Sequence, residues 1–189
     1  METASLSELR VGEFLDRLAS DRPTPGGGSV AALVGASGAA LGRMAAALTL
    51  GKPRFADVAE RVAHCARRLE RIDRLFRRLM DEDAAAYGEL HAAFRLPKNA
   101  PQRAVRIAQT AGLAACVPLE TVAVARQSLT ELEKLARIGN PNLRSDMEAA
   151  VSVTKAAMRA AAANVRANLP LVGEQESHRI ETELRKLLE

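Results

Sequence analysis

Apolar residues recur at steps of three and four along almost the whole chain, the spacing of one buried face on a succession of α-helices. Leu6, Val11, Phe14, Leu15 and Leu18 mark a first helix, opened by the capping-box spacing Ser5–Glu8 and ending near Ser20. A second runs from Val30 to Leu50 with Ser29 as its cap, and Gly51 and Pro53 close it. It is apolar nearly all round, which predicts burial on every side. Gly35, Gly38 and Gly42 smooth its surface for close approach, so it is either a central axle or the seam between two subunits. A third helix spans Phe55 to Phe94, with Phe55, Val58, Val62, Cys65, Leu69, Ile72, Phe76 and Leu79 in its stripe. Asp83 takes the next core slot, before Tyr87, Leu90 and Phe94.

The fourth helix runs from about Gln102 to Ile138 behind a Pro97–Pro101 loop with Asn99 as a possible cap. Pro118 sits in its middle and predicts a kink or break, because proline removes one backbone donor and clashes with the preceding turn. Leu119, Val122, Leu129, Leu132 and Ala136 resume the stripe, and Gly139 ends it. A turn at Gly139–Asn142 leads to a second capping-box match, Ser145–Glu148, predicting a fifth helix from Ser145 to Pro170. Ile180, Leu184 and Leu187 mark a short last helix.

Composition narrows the class. Only 3% of the residues are aromatic and Trp is absent, so small side chains must fill the core, as in closely packed helices rather than a sheet. The reading is an all-α, single-domain antiparallel helical bundle over residues 1–189, a length that buries a substantial core. Glu2, Glu8 and the early polar residues argue against a signal peptide. Val30–Leu50 is the membrane candidate, but Arg43 and the many Ala and Gly make insertion unfavourable. Cys65 and Cys116 show no metal or redox spacing and fit a reducing, cytoplasmic setting. His64, His91 and His178 have no ligand spacing, so no metal is assigned. Seven arginines between Arg61 and Arg78 account for much of the +4 net charge. Glu70–Arg74 and Asp73–Arg77 stand at salt-bridge spacing and stacking aromatics are missing, so this is a solvated face rather than a nucleic-acid surface.

Candidate chemistry centres on Asp83, since a carboxylate in an apolar stripe is costly unless paired or used. A structural acid satisfied by an arginine or by backbone donors is the competing reading. Asp81 points elsewhere on the helix and reads as a surface acid unless substrate reaches it. Asp146 in a first helical turn is favoured by the helix dipole alone. Asn140 and Asn142 suit a turn, while Asn164 and Asn168, four apart, are unusual inside a helix. The Pro23–Ser29 loop lacks the Lys-Ser/Thr of a phosphate-binding loop but precedes a helix N-terminus that can take an anion.

Phe14-Leu15 through Pro23-Thr24-Pro25-Gly26-Gly27-Gly28-Ser29-Val30-Ala31-Ala32 resembles the opening of the C-terminal domain of formiminotransferase-cyclodeaminases, a family that includes stand-alone methenyltetrahydrofolate cyclohydrolases. Asp81-Glu82-Asp83-Ala84 with Tyr87, Leu96–Asn99, Val117-Pro118-Leu119, Gly139-Asn140, Ser145-Asp146 and the segment Asn164–Leu169 follow in family order. The resemblance implies a helical homodimer that needs neither metal nor a permanently bound cofactor and takes a tetrahydrofolate derivative as substrate. It implies closure of formimino-tetrahydrofolate with loss of ammonia, hydrolysis of the methenyl form, or both. On that basis Asp83 is the expected acid/base, with Asp146 sharing its proton if the fold brings them together and Asp81 a further candidate. Pro25, Gly26, Gly27, Gly28 and Ser29 are expected at the folate pocket. Asn140, Asn142, Asn164 and Asn168 are candidates to read the pterin edge, and Lys52, Arg54 or Lys98 to meet the glutamate carboxylates on charge type. A folate-binding but inactive homologue and a purely structural helical dimer remain open at this point.

Overall fold

The structure, a computed structural model, describes residues 5–189; Glu2, used above against a signal peptide, lies outside them. Among the described residues six α-helices succeed one another: α1 Val11–Leu18, α2 Gly27–Ala47, α3 Ala59–Phe94, α4 Arg103–Ile138, α5 Arg144–Asn168 and α6 Glu174–Leu188. Helices α2 to α5 form an up-and-down four-helix bundle, and pairings along them fix the register. Gly28, Gly35 and Gly42 of α2 meet Asp83, Phe76 and Leu69 of α3, while Gly27 and Gly38 meet Asn164 and Thr154 of α5. Arg78–Glu120 and Arg106–Glu89 tie α3 to α4 in the same antiparallel sense. Phe76, Leu69, Leu79, Leu132 and Leu135 fill the centre, and α6 seals one side through Ile180 and Leu184.

The glycines of α2 explain why it lies at the heart of the bundle. A methyl group at Gly35 would sit 2.5 Å from Phe76, at Gly38 2.1 Å from Thr154 Oγ1, and at Gly42 2.4 Å from Leu132. All three contacts are within one chain, so these glycines form the axle and not a seam between subunits. Burial on every side does not hold either. Val30, Leu33, Val34 and Leu41 are half-buried, and Met44 and Leu48 are exposed. Both α2 and α4 are long and apolar enough to cross a membrane, so Val30–Leu50 is not alone in that respect; about half of each such stretch is buried within the bundle.

Several expected boundaries move for local reasons. The first helix is divided: Ser5 caps only a single 3-10 turn, Leu6–Glu8, and α1 begins afresh where the Glu13 carboxylate accepts the Arg10 N–H. The cap of α2 is Gly26 rather than Ser29, whose hydroxyl is turned inward. Pro53–Val58 is a separate 3-10 segment, with Phe55 outside helical dihedrals, ahead of α3. Neither Asn99 nor Ser145 caps a helix: α4 starts after Gln102 and α5 after Leu143, both without side-chain caps. Tyr87 and Phe94, expected in the α3 stripe, are exposed, as is Ala136 on α4.

Helix α4 runs unbroken through Pro118, which is buried. Proline leaves the carbonyl four residues earlier, that of Ala114, without its helical donor. Asn168 Nδ2 donates to that oxygen at 3.0 Å, which removes the reason for a break.

Two carboxylates lie deeper than the sequence suggests. Asp73 is buried and accepts from Arg43 of α2 at 2.8 Å and Arg77 at 2.9 Å. Glu131 of α4 is buried against Arg68 at 2.9 Å and Lys134 at 3.1 Å. The Glu70–Arg74 pair forms as spaced, at 3.0 Å on the surface.

Candidate functional site

At one end of the bundle the N-terminus of α2, the middle of α3 and α4, and the end of α5 enclose a cavity of about 290 Å³. Pro23, Thr24, Gly26, Gly27 and Gly28 form one wall, Asp83 and Tyr87 a second, and Ala114, Asn164, Ala167 and Asn168 the rest. The glycine run is what lets these elements converge. A methyl group at Gly28 would lie 1.9 Å from Asp83 Oδ1, and one at Gly27 would lie 3.2 Å from the Asn164 amide.

Asp83 is half-buried with its carboxylate against the first turn of α2. Burial pushes its pKa above the ordinary value, and hydrogen bonds from the Ser29 hydroxyl and backbone oppose the rise; among the described residues no basic side chain shares in the balance. Ser29 Oγ lies 2.9 Å from Asp83 Oδ2 and 3.0 Å from the Met80 carbonyl. A hydroxyl has one proton, so it serves one acceptor fully at a time. With Asp83 ionised, Ser29 donates to the carboxylate. With Asp83 neutral, the carboxyl donates to Ser29 and the serine proton turns to Met80. The pair therefore holds Asp83 in place in both charge states.

The other expected residues divide between this cavity and elsewhere. Asn164 donates to the Ala160 carbonyl at 2.9 Å and lines the cavity beside Gly27. Asn168 commits its amide to Ala114 and to Asn164 O at 3.1 Å. Ser29 lies beneath Asp83 rather than on the cavity wall, and Pro25 is buried behind the loop. Asp81 accepts from Ser5 Oγ at 2.6 Å and from the Leu6 N–H at 2.7 Å, so it anchors the N-terminal turn instead of standing free on the surface.

Asn140, Asn142 and Asp146 lie at the far end of the bundle. Asn140 Oδ1 accepts from Arg54 at 2.9 Å and from the Asn142 N–H at 3.2 Å, and its own N–H reaches Thr49 at 3.1 Å. This turn borders a second cavity, of about 640 Å³, with Arg144 and Met147. Asp146 is separated from Asn164 by about 27 Å of helix, so it and Asp83 do not share a proton within one chain. Lys52 and Lys98 are exposed and line neither cavity. Tyr87 was not among the expected site residues, whereas Thr24 belongs to the Pro23–Ser29 loop expected at the pocket. Tyr87 stands one turn beyond Asp83 on α3, and that four-residue spacing is the signal that places it at the site.

An all-helical bundle closes a small cavity around a half-buried carboxylate that, among the described residues, has no basic partner. The comparisons with known proteins give the family. The formiminotransferase-cyclodeaminase family model matches residues 10–186, and the chain belongs to that family. It is 38% identical over 159 residues to the methenyltetrahydrofolate cyclohydrolase of Methylorubrum extorquens, covering 82% of this chain and 76% of that protein. It is 30% identical over 191 residues to the mouse formimidoyltransferase-cyclodeaminase, covering 96% of this chain but only 35% of that longer protein. The crystal structure of a formiminotetrahydrofolate cyclodeaminase from Thermotoga maritima superposes with a TM-score of 0.88 at 29% identity, covering 96% of this chain and 89% of that one.

Proposed function

We propose that the chain acts on the one-carbon bridge of a tetrahydrofolate derivative, with Asp83 as its acid/base. The observation that carries this reading is the half-buried carboxylate in the small cavity, held by Ser29 and without a basic partner among the described residues. The methenyl bridge is a delocalised cation over N5, carbon and N10, and supplies the charge that Asp83 lacks. In the hydrolytic direction Asp83 takes a proton from the water that adds to the bridge carbon. It then returns that proton to N5 as the carbon–N5 bond breaks, while the carbinol hydroxyl gives its proton to solvent and becomes the carbonyl of the 10-formyl product. In the cyclising direction N10 attacks the formimino carbon, the N10 proton passes to the former imino nitrogen, and the same group delivers the further proton with which ammonia departs, leaving the methenyl cation. The Gly26–Gly28 backbone and the Asn164 amide border the space for the pterin edge. Asn140 and Asn142 belong to the turn at the other end of the bundle, and Lys52 and Lys98 line neither cavity, so this reading gives none of the four a role at Asp83.

The same reading includes a homodimer. The outward side of α2 (Leu33, Ser37, Ala40, Met44, Leu48) and the adjoining flank of α5 (Val153, Ala156, Ala160, Ala163) form a half-exposed strip without a charge, beside the cavity. Small residues at alternating steps of three and four suit close packing of a second copy. Met44→Lys, placed on this strip, should leave a folded monomer by light scattering.

Loss of methenyl-tetrahydrofolate absorbance with the purified protein tests the hydrolytic reaction, and ammonia release from formimino-tetrahydrofolate tests the other. Binding of both without turnover of either contradicts the enzyme reading.

A further inference from the structure

We propose that Asn168 is a positioning residue: its carboxamide replaces the backbone donor missing at Pro118 and thereby fixes the α4 wall of the Asp83 cavity to its α5 wall. Pro118 lies inside α4 and leaves the Ala114 carbonyl without the donor that any other residue at position 118 would supply. Asn168 Nδ2 reaches that carbonyl at 3.0 Å from the last turn of α5, and it reaches the Asn164 carbonyl at 3.1 Å. Both amide hydrogens are thereby used within the protein, which leaves only Oδ1 for any ligand. Ala114, Asn164 and Asn168 all line the cavity, so the clamp is part of its wall. An ordinary residue at position 118 would close the α4 bond locally and need nothing from α5. The Pro118–Asn168 pair exchanges that local bond for one between helices, at the point where a shift of the walls would alter the distance from ligand to Asp83.

The inference rests on the function proposed above for its catalytic half, and the test separates the two. Asn168→Ala, Pro118→Ala and the double variant are made in the full chain. Urea midpoints are measured alongside kcat and KM for methenyl-tetrahydrofolate. In the parent background Asn168→Ala should lower the midpoint and raise KM about tenfold, with kcat reduced less than threefold. In the Pro118→Ala background the restored backbone N–H satisfies the Ala114 carbonyl, so the same change should leave the midpoint unmoved and KM within about twofold. An equal rise in KM in both backgrounds overturns the proposal and makes Asn168 Oδ1 a substrate contact. Coupled midpoints with unchanged KM also overturn it, reducing the clamp to helix stability. An inactive parent protein overturns the proposed function and the positioning role with it, while the midpoints alone still decide whether the clamp exists.

Discussion

Replacing Gly28 with alanine probes the contact on which the site depends. The added methyl group would stand 1.9 Å from Asp83 Oδ1, 2.4 Å from Cγ and 2.8 Å from Oδ2. The carboxylate is the end of a short side chain, and ordinary contact therefore requires it to swing away by roughly 1.5 Å. That movement breaks its 2.9 Å bond with Ser29. Loss of a hydrogen bond to a charged group costs about 1.5–3 kcal/mol. Alanine in place of a helical glycine returns up to about 1 kcal/mol, so the net loss in stability is about 0.5–3 kcal/mol. Turnover should respond far more, because displacement of a reacting group by about 1 Å costs about a hundredfold. Steady-state hydrolysis of methenyl-tetrahydrofolate measures this, with Gly112→Ala, where a methyl group meets nothing within 4 Å, as the control. A folded Gly28→Ala protein within twofold of the parent in turnover would refute the reasoning.

Two further outcomes follow from the packing and the charge balance. Gly38→Ala meets Thr154 Oγ1 and the Ala150 carbonyl inside the same chain, so it should lose about 1–3 kcal/mol in urea unfolding without changing the native mass by light scattering; a change in mass at unchanged stability would return Gly38 to a subunit seam. Asp83 has a pKa raised above 3.8 by burial, so between 3.8 and its folded value the native state holds more protons than the unfolded chain and loses stability as pH rises; the melting temperature of Asp83→Asn minus that of the parent should therefore grow from pH 4 to pH 7, and a flat difference would show that burial does not penalise the charge.

The helices and their order were legible because a packed face imposes spacing on consecutive residues, and Asp83 stood out as the acid that interrupts such a face. What remained hidden depends on partners distant in sequence. Asp73 looked like one half of a surface pair with Arg77, and only the approach of Arg43 from α2 makes it a buried bridge. Pro118 predicted a break because a local rule cannot see that Asn168, fifty residues on, completes the helix. Ser29 carried a capping signal, yet Gly26 already served, and the hydroxyl was needed inward by Met80 and Asp83. The family motifs ran in order along the chain but fold to both ends of the bundle. Sequence order alone could not tell that Asp146 stands about 27 Å along α5 from Asn164, the residue of that helix beside Gly27 in the cavity.

The most direct test of the central claim is turnover set against binding for Asp83→Asn. Asparagine keeps the shape of the side chain and an oxygen for Ser29, and it removes both the charge and the transferable proton. The account predicts turnover of methenyl-tetrahydrofolate reduced at least a hundredfold, with a dissociation constant for 10-formyl-tetrahydrofolate, whose one-carbon group is uncharged, within about threefold of the parent. Turnover close to the parent value would contradict it and leave Asp83 a structural acid.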